Sequence, residues 1–265
     1  MSQQVHQFFA DLWQDYIQRT PSADKVHQVL GKGHSIINDH VAFRTFNIAP
    51  VNLDALATLI ESMGYFANGD YEFTEKKLRA KHFEHADPTL PKVFVSELLV
   101  ESFSPQVQRV IQRMVAGIAP EQVQQPAFLY SGTHWDVTYD EYQMLLAESE
   151  YAAWMSAFGF CANHFTVSVN ALPGYSTLES VNATLKNAGF TLNSSGGEIK
   201  GSPEVYLEQS ATMADHVEVR FKDKAARIPS CFYEFAKRYE LAPGKLYTGF
   251  VAASADKIFE STNSK

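Results

Sequence analysis

Two stretches of the chain, DHVAFRTFNIAPVNLDALATLIESMGYFANGDYEF from Asp39 and NHFTVSVNALPGYSTLESVNATLKNAGFTLNSSGGEI from Asn163, follow one plan. Each opens on a short polar residue and a histidine, continues in a strand pattern, and turns at a proline (Pro50, Pro173). Each then enters a helix with periodic leucines. Both helices stop at a glycine followed by an aromatic, Gly64-Tyr65 and Gly189-Phe190, where a left-handed C-cap is expected. The histidine-to-glycine interval is 24 residues in one copy (40 to 64) and 25 in the other (164 to 189). Agreement in start, turn, helix length and cap marks an internal repeat, and a repeat dictates architecture before any single motif does.

Further strands follow each helix. The first copy offers YEF, KLRAKHFEH and KVFVSELLVE; the second offers GGEIKG, PEVYLEQ, HVEVRF and IPSCFYEFAK. The plan is strand–helix–strand–strand–strand twice, with one extra strand in the second copy. The expected fold is α+β: two βαβββ modules whose sheets pack into one cupped half-shell. Helices surround them. Val5, Phe8, Phe9, Leu12, Trp13 and Ile17 form an apolar stripe, Ser22 is a candidate cap for a second helix through Leu30, and amphipathic helices are expected over 104–118 and 139–158. The chain is read as one domain over 1–265: N-terminal helices 1–33, first module 36–101, helical insertion 102–160, second module 161–240 and C-terminal segment 241–265.

Composition narrows the class. With 45% hydrophobic and 20% charged residues and no apolar run near the ~20 residues a membrane helix needs, a soluble protein with no membrane partner is expected. The start, MSQQVHQFFADLW, lacks a basic stretch followed by an apolar one, so no secretory signal is expected. Cys161 and Cys231 lie far apart in sequence and form neither a disulfide framework nor a zinc knuckle, which suits reduced thiols in a cytoplasm. A net charge of −8 without a basic block argues against nucleic acid as a partner. An anionic small substrate stays open, since one buried arginine reverses a local field.

Alternation along NDHVAFRTF places His40, Ala42, Arg44 and Phe46 on one face and Val41, Phe43 and Thr45 on the other. Overlaying the repeats puts His40 on His164, Arg44 on Ser168, and Glu97 roughly on Glu234. First and last strands of both modules line one cup, so these residues converge. Two imidazoles and a carboxylate with open positions suit non-haem Fe(II) and oxygen chemistry, although Zn, Mn or Ni accept the same ligands. Glu97 reads equally as a fourth ligand, a hydrogen-bond acceptor behind the ligands, or an exposed residue. Arg44, with its Cα about 13 Å from that of His40 at strand spacing, can reach back to clamp a carboxylate bidentately or form a surface ion pair. His134 lies in the helical insertion, His82 and His85 have no counterpart in the second copy, and His216, Glu218 and Arg220 share the face of a substrate-contacting or solvated strand. The GxSxG, GxxxxGK[ST] and GxGxxG motifs are absent.

HVAFRTF, NHFTVSVN, the AWMSAFGF run before it and IPSCFYEFAKR together resemble the 2-oxoadipate dioxygenase/decarboxylase (2-hydroxyglutarate synthase) family. The resemblance runs from about His34 to KLYTGFVAASADKIFE. It implies a vicinal-oxygen-chelate-like fold, iron ligands His40, His164 and Glu234, and Arg44 as the catalytic, substrate-binding arginine of an H-x-x-x-R motif. It also implies Fe(2+) as cofactor, a 2-oxo acid and O2 as small-molecule partners, and (R)-2-hydroxyglutarate and CO2 as products of 2-oxoadipate. The chain is shorter than the best-known members, which carry insertions. The competing readings are a redox-inert metal-dependent isomerase, lyase or hydrolase, and a non-catalytic small-molecule binding protein.

Overall fold

In the computed structural model, which describes residues 2–262, the chain opens with α1 (Ser2–Arg19) and α2 (Ser22–Gly31). Val5, Phe8, Phe9 and Leu12 of α1 are buried, as their spacing requires, and Tyr16 joins them. Ser22 does not cap α2: Pro21 holds the cap position, and the Ser22 N–H donates to Asp215 at 2.8 Å. The first module is β1 (Asn38–Phe46), α3 (Leu53–Ser62), β2 (Tyr65–Phe73), β3 (Leu78–His85) and β4 (Lys92–Leu98). Gly64, at φ +93°, and Gly189, at φ +90°, end the two repeat helices in the left-handed region, where a side chain would be strained.

The helical insertion contains α4 (Pro105–Val115), α5 (Pro120–Val123), α6 (Tyr139–Glu148) and α7 (Glu150–Phe158). The single helix expected over 139–158 is therefore two. Ser149 adopts an extended conformation (φ −151°, ψ 108°), and its hydroxyl caps α7 by accepting from the Ala152 N–H at 3.1 Å. The break turns Glu150 and Tyr151 toward β1.

The second module is β5 (Ala162–Ser168), α8 (Leu178–Asn187), β6 (Lys200–Ser202), β7 (Leu207–Ala211), a hairpin of β8 (His216–Arg220) and β9 (Ala225–Pro229), and β10 (Phe232–Arg238). Eight strands form one curled sheet in the order β2-β3-β4-β1-β5-β10-β7-β6. β1 runs parallel to β4 and β5 parallel to β10, while β1 and β5 meet antiparallel at the centre. This is the two-module arrangement expected of the repeat. The extra strand HVEVRF leaves the sheet and pairs only with β9, its side chains alternating between partly and fully exposed. A short α9 (Ala252–Ile258) and a 3-10 turn (Phe259–Thr262) close the described chain.

α1 packs on one face of the sheet: Trp13 meets Phe165 edge-on at 5.2 Å and Tyr233 at 5.8 Å, and Tyr16 lies 5.0 Å from Phe165. Tyr16, Phe165 and Tyr233 are fully buried, and each such aromatic contributes about 1.5–3 kcal/mol of transfer free energy. Phe165 and Val167 of β5 are thus core, which leaves His164 and Thr166 to the cup.

Strand register corrects one expectation. His40 pairs with Lys92 and His164 with Phe232, so the residue equivalent to Glu234 is Phe94. Glu97 lies three residues beyond Phe94 and faces the other side of the sheet. There its carboxylate accepts from the Leu53 N–H at 2.7 Å, anchoring the start of α3, and pairs with Arg79. Glu97 is fully buried and belongs to the helix anchor. Replacing it with alanine strands a buried N–H, and unfolding measurements should show a loss of about 1–3 kcal/mol. Bound metal per chain should be unchanged by the same substitution.

Candidate metal centre

His40, Thr166 and Glu234 lie in one row across β1, β5 and β10, because Thr166 pairs with both of the others. The small threonine leaves the space in which imidazole and carboxylate meet. His164, paired with Ala42, enters from the next row. His40 Nε2 is 3.5 Å from Glu234 Oε1, and His164 Nε2 is 3.2 Å from Glu234 Oε2. One donor atom from each of the three residues lies within 4.8 Å of the others, and all three residues are buried. The Thr166 hydroxyl is 3.0 Å from His40 Nε2.

Neighbouring residues on a regular strand face opposite sides, yet each histidine is bonded to the residue before it. His40 Nδ1 is 2.8 Å from Asp39 Oδ1, and His164 Nδ1 is 3.1 Å from Asn163 Oδ1. Strand irregularities explain both contacts. The β1–β5 ladder skips Asp39 on one strand and Asn163 on the other, so each is the extra residue of a bulge. With Nδ1 donating to an oxygen, each Nε2 keeps its lone pair for the interior of the cup.

Asp39 is itself held by Arg238, whose Nε and Nη2 donate to its two oxygens at 2.7 and 2.8 Å. Arg238 Nη1 reaches the carbonyls of Tyr247 and Gly249 at 3.1 and 2.7 Å. Burial opposes the charge on Asp39, but Arg238 and His40 outweigh it and hold the carboxyl well below the usual carboxylate range. Burial likewise opposes ionisation of Glu234. The neighbouring His40 and His164 and a 2.6 Å hydrogen bond from Gln209 Nε2 overcome it and leave the group below its ordinary value. Burial pushes His164 toward neutral imidazole against the pull of Glu234, and His40 and Arg44 act in the same direction. An ionised carboxylate and oriented imidazoles are the donor set a first-row divalent metal requires. The residues fit such an ion.

Arg44 is buried on the cup side, one alternation beyond Ala42, which faces His164. Its guanidinium carbon lies 4.8 Å from the Tyr151 ring centre and 4.9 Å from that of Trp154. Nε and Nη2 are buried without a hydrogen-bond partner among the described residues. The other histidines and charged residues raised as candidates lie apart from this cluster. His82 is buried against Tyr71, Glu84 and Phe250, His134 bonds to Ser131, and His216, Glu218 and Arg220 sit on the exposed hairpin. Sequence pattern does not single out Asp39 and Asn163 as supports, nor Thr166, Gln209, Arg238, or Phe250, whose ring meets His40 edge-on at 4.8 Å. Only the first two leave a trace, as the polar residue that opens each repeat.

A pair of βαβββ modules sharing a curled sheet, with a buried His–His–Glu cluster at their junction, defines a vicinal-oxygen-chelate-like protein. The glyoxalase superfamily protein of Ralstonia eutropha JMP134 shares this fold: TM-score 0.73, 22% identity, 92% of this chain and 84% of that one. The family model of 2-oxoadipate dioxygenase/decarboxylase matches residues 3–245. A rice protein named 2-oxoadipate dioxygenase/decarboxylase, chloroplastic/amyloplastic, is 35% identical over 94% of this chain and 76% of its own length. The rice hydroxyglutarate synthase, solved in complex with 2-oxoadipate, superposes with a TM-score of 0.90 at 33% identity, covering 97% of this chain and 91% of that one. A Shewanella frigidimarina structure described as a hydrolase has a TM-score of 0.90 at 63% identity, covering 94% of this chain and 98% of that one. The chain belongs to the 2-oxoadipate dioxygenase/decarboxylase family, and it is an oxygenase-type enzyme. No helix among the described residues is long and apolar enough to cross a membrane.

The two supports should differ in their effect. Asp39→Asn leaves Arg238 without its anion, so chemical denaturation should register a loss of about 3–5 kcal/mol. Chelator competition should show metal affinity about 10–100-fold weaker. Asn163→Ala removes the matching support of His164 with no ion pair behind it, and should weaken metal binding at a smaller cost in stability than Asp39→Asn, about 1–3 kcal/mol for the stranded His164 N–H.

Proposed function

We propose that the protein is an Fe(II)-dependent dioxygenase that converts 2-oxoadipate and O2 to (R)-2-hydroxyglutarate and CO2, with His40, His164 and Glu234 holding the metal. Six carbons, eight hydrogens and seven oxygens enter as the neutral acid and O2, and the same number leave as hydroxy acid and CO2. The observation that carries the reading is the bare edge of Arg44. A buried cation with two unused donors, on the face of β1 that also carries His40 of the buried His–His–Glu cluster, matches an acid that must be fixed against a metal. The relatives' names and the 2-oxoadipate bound to the rice enzyme supply the acid.

When bound, Fe(II) supplies the redox chemistry that lets O2 react with the chelated 2-oxo acid. The protein's own residues do the rest. Arg44 takes a substrate carboxylate through Nε and Nη2, while Tyr151 and Trp154 fix the plane of its guanidinium. Phe250 packs against the His40 imidazole and Phe232 against that of His164, with Phe94 behind Phe250, so the site is poor in water. Asp39 and Asn163 keep the histidine tautomers constant. The buried, free thiols of Cys161 and Cys231 support a reducing compartment, and we place the protein in the cytoplasm, unlike the plastid-named plant relatives.

The competing reading, a redox-inert hydrolase, isomerase or lyase on the same ligands, draws on the description of the Shewanella relative as a hydrolase. Oxygen dependence separates the two. Iron-loaded protein given 2-oxoadipate should consume O2 and release CO2 in equal amounts, and neither His40→Ala nor Glu234→Ala should do so. Turnover that persists under strict anaerobiosis, or none across a panel of 2-oxo acids, would overturn the proposal. Arg44→Lys keeps the charge but loses the fork, which should raise KM about 10–150-fold, the equivalent of one charge-assisted hydrogen bond.

A further inference from the structure

Arg44 is held at one end only. Its Nη1 donates to Glu150 Oε1 at 3.1 Å, and the same oxygen accepts from the Thr262 hydroxyl at 2.6 Å. Glu150 is the first residue of α7 and reaches this place because Ser149 breaks the insertion helix. It is partly exposed, on the wall of a cavity of about 260 Å³ that Arg44, Lys77, Phe103 and Tyr151 also line. Arg44 at the inner end of that cavity is buried.

The guanidinium therefore has a fixed end, two aromatic neighbours and a bare edge. Nε with Nη2 is the edge that meets a carboxylate through two parallel bonds. Arg238 uses those two atoms on Asp39 in this same protein, with its Nη1 held by backbone carbonyls. Arg44 repeats the arrangement, with Glu150 in place of the carbonyls and the carboxylate still to come.

We infer that Glu150 is the positioning residue of Arg44: it fixes Nη1 so that the Nε–Nη2 edge faces the incoming substrate carboxylate, and Thr262 holds Glu150 in turn. The inference rests on the reading of Arg44 as the substrate clamp. Glu150 does not touch the substrate; it acts through the arginine. Because the Arg44–Glu150 pair is neutral as a unit, the affinity for an anion derives from the aim of the two free donors. An uncharged acceptor at position 150 should therefore serve almost as well as a carboxylate, and a missing acceptor should not.

The test compares wild type, Glu150→Ala, Glu150→Gln, Arg44→Ala and the double alanine variant as iron-loaded proteins. KM and kcat are measured for 2-oxoadipate, and its Kd by calorimetry without O2. Glu150→Ala should raise KM and Kd about tenfold or more, in line with one charge-assisted hydrogen bond, and change kcat less than about threefold. Glu150→Gln should stay within about threefold of wild type, and Glu150→Ala should add nothing once Arg44 is gone. A wild-type Kd in Glu150→Ala, or an equal further loss in the Arg44→Ala background, overturns the role of Glu150. If Glu150→Ala does not fold, Thr262→Val decides: a raised Kd supports the chain of contacts and an unchanged one overturns it. Wild-type protein that neither binds nor turns over 2-oxoadipate overturns the functional reading itself, and the clamp with it.

Discussion

The antiparallel pairing of β1 with β5 is the constraint from which the site follows. A regular ladder there would place Asp39 and His40, and Asn163 and His164, on opposite faces of the sheet. One extra residue on each strand brings each polar side chain round to its histidine. The bulges fix the tautomers, and the tautomers turn both Nε2 atoms toward the carboxylate of Glu234. Without the seam, the first module keeps a lone histidine, and the second keeps a histidine and a carboxylate with one partner fewer.

The first module's support is the deeper of the two. Asp39 rests on Arg238, which comes from the second module and bonds onward to the backbone at Tyr247 and Gly249. The orientation of His40 thus depends on a buried ion pair that crosses the seam and on the segment that follows β10. Asn163 has no such ion pair behind it, and its Nδ2 is buried without a hydrogen-bond partner among the described residues.

Much of this is legible in the chain. Matching starts, prolines and terminal glycines reveal two modules, and alternation within NDHVAFRTF places His40 and Arg44 on one face. Matching the last strands by eye fails for Glu97, because a shift of three residues reverses the face and only the ladder registers fix it. The break at Ser149 is hidden by a continuous helical pattern on both sides, and with it the approach of Glu150 to Arg44. Thr166, Gln209 and Phe250 carry no motif at all. They matter through position across strands and through a chain segment far away in sequence, neither of which periodicity encodes.

The modules are related by an approximate twofold axis, but their contents are not. Arg44 has Ser168 as its counterpart in the repeat, and Glu234 has Phe94. Two identical copies would contribute a histidine and a carboxylate apiece. With Phe94 where a second carboxylate would stand, the donor set is two histidines and one carboxylate, which on the proposed iron would leave one whole face open to reactants. A fourth protein donor would take one of those positions. The room that the proposed reaction needs would thus come from a ligand that one copy does not have.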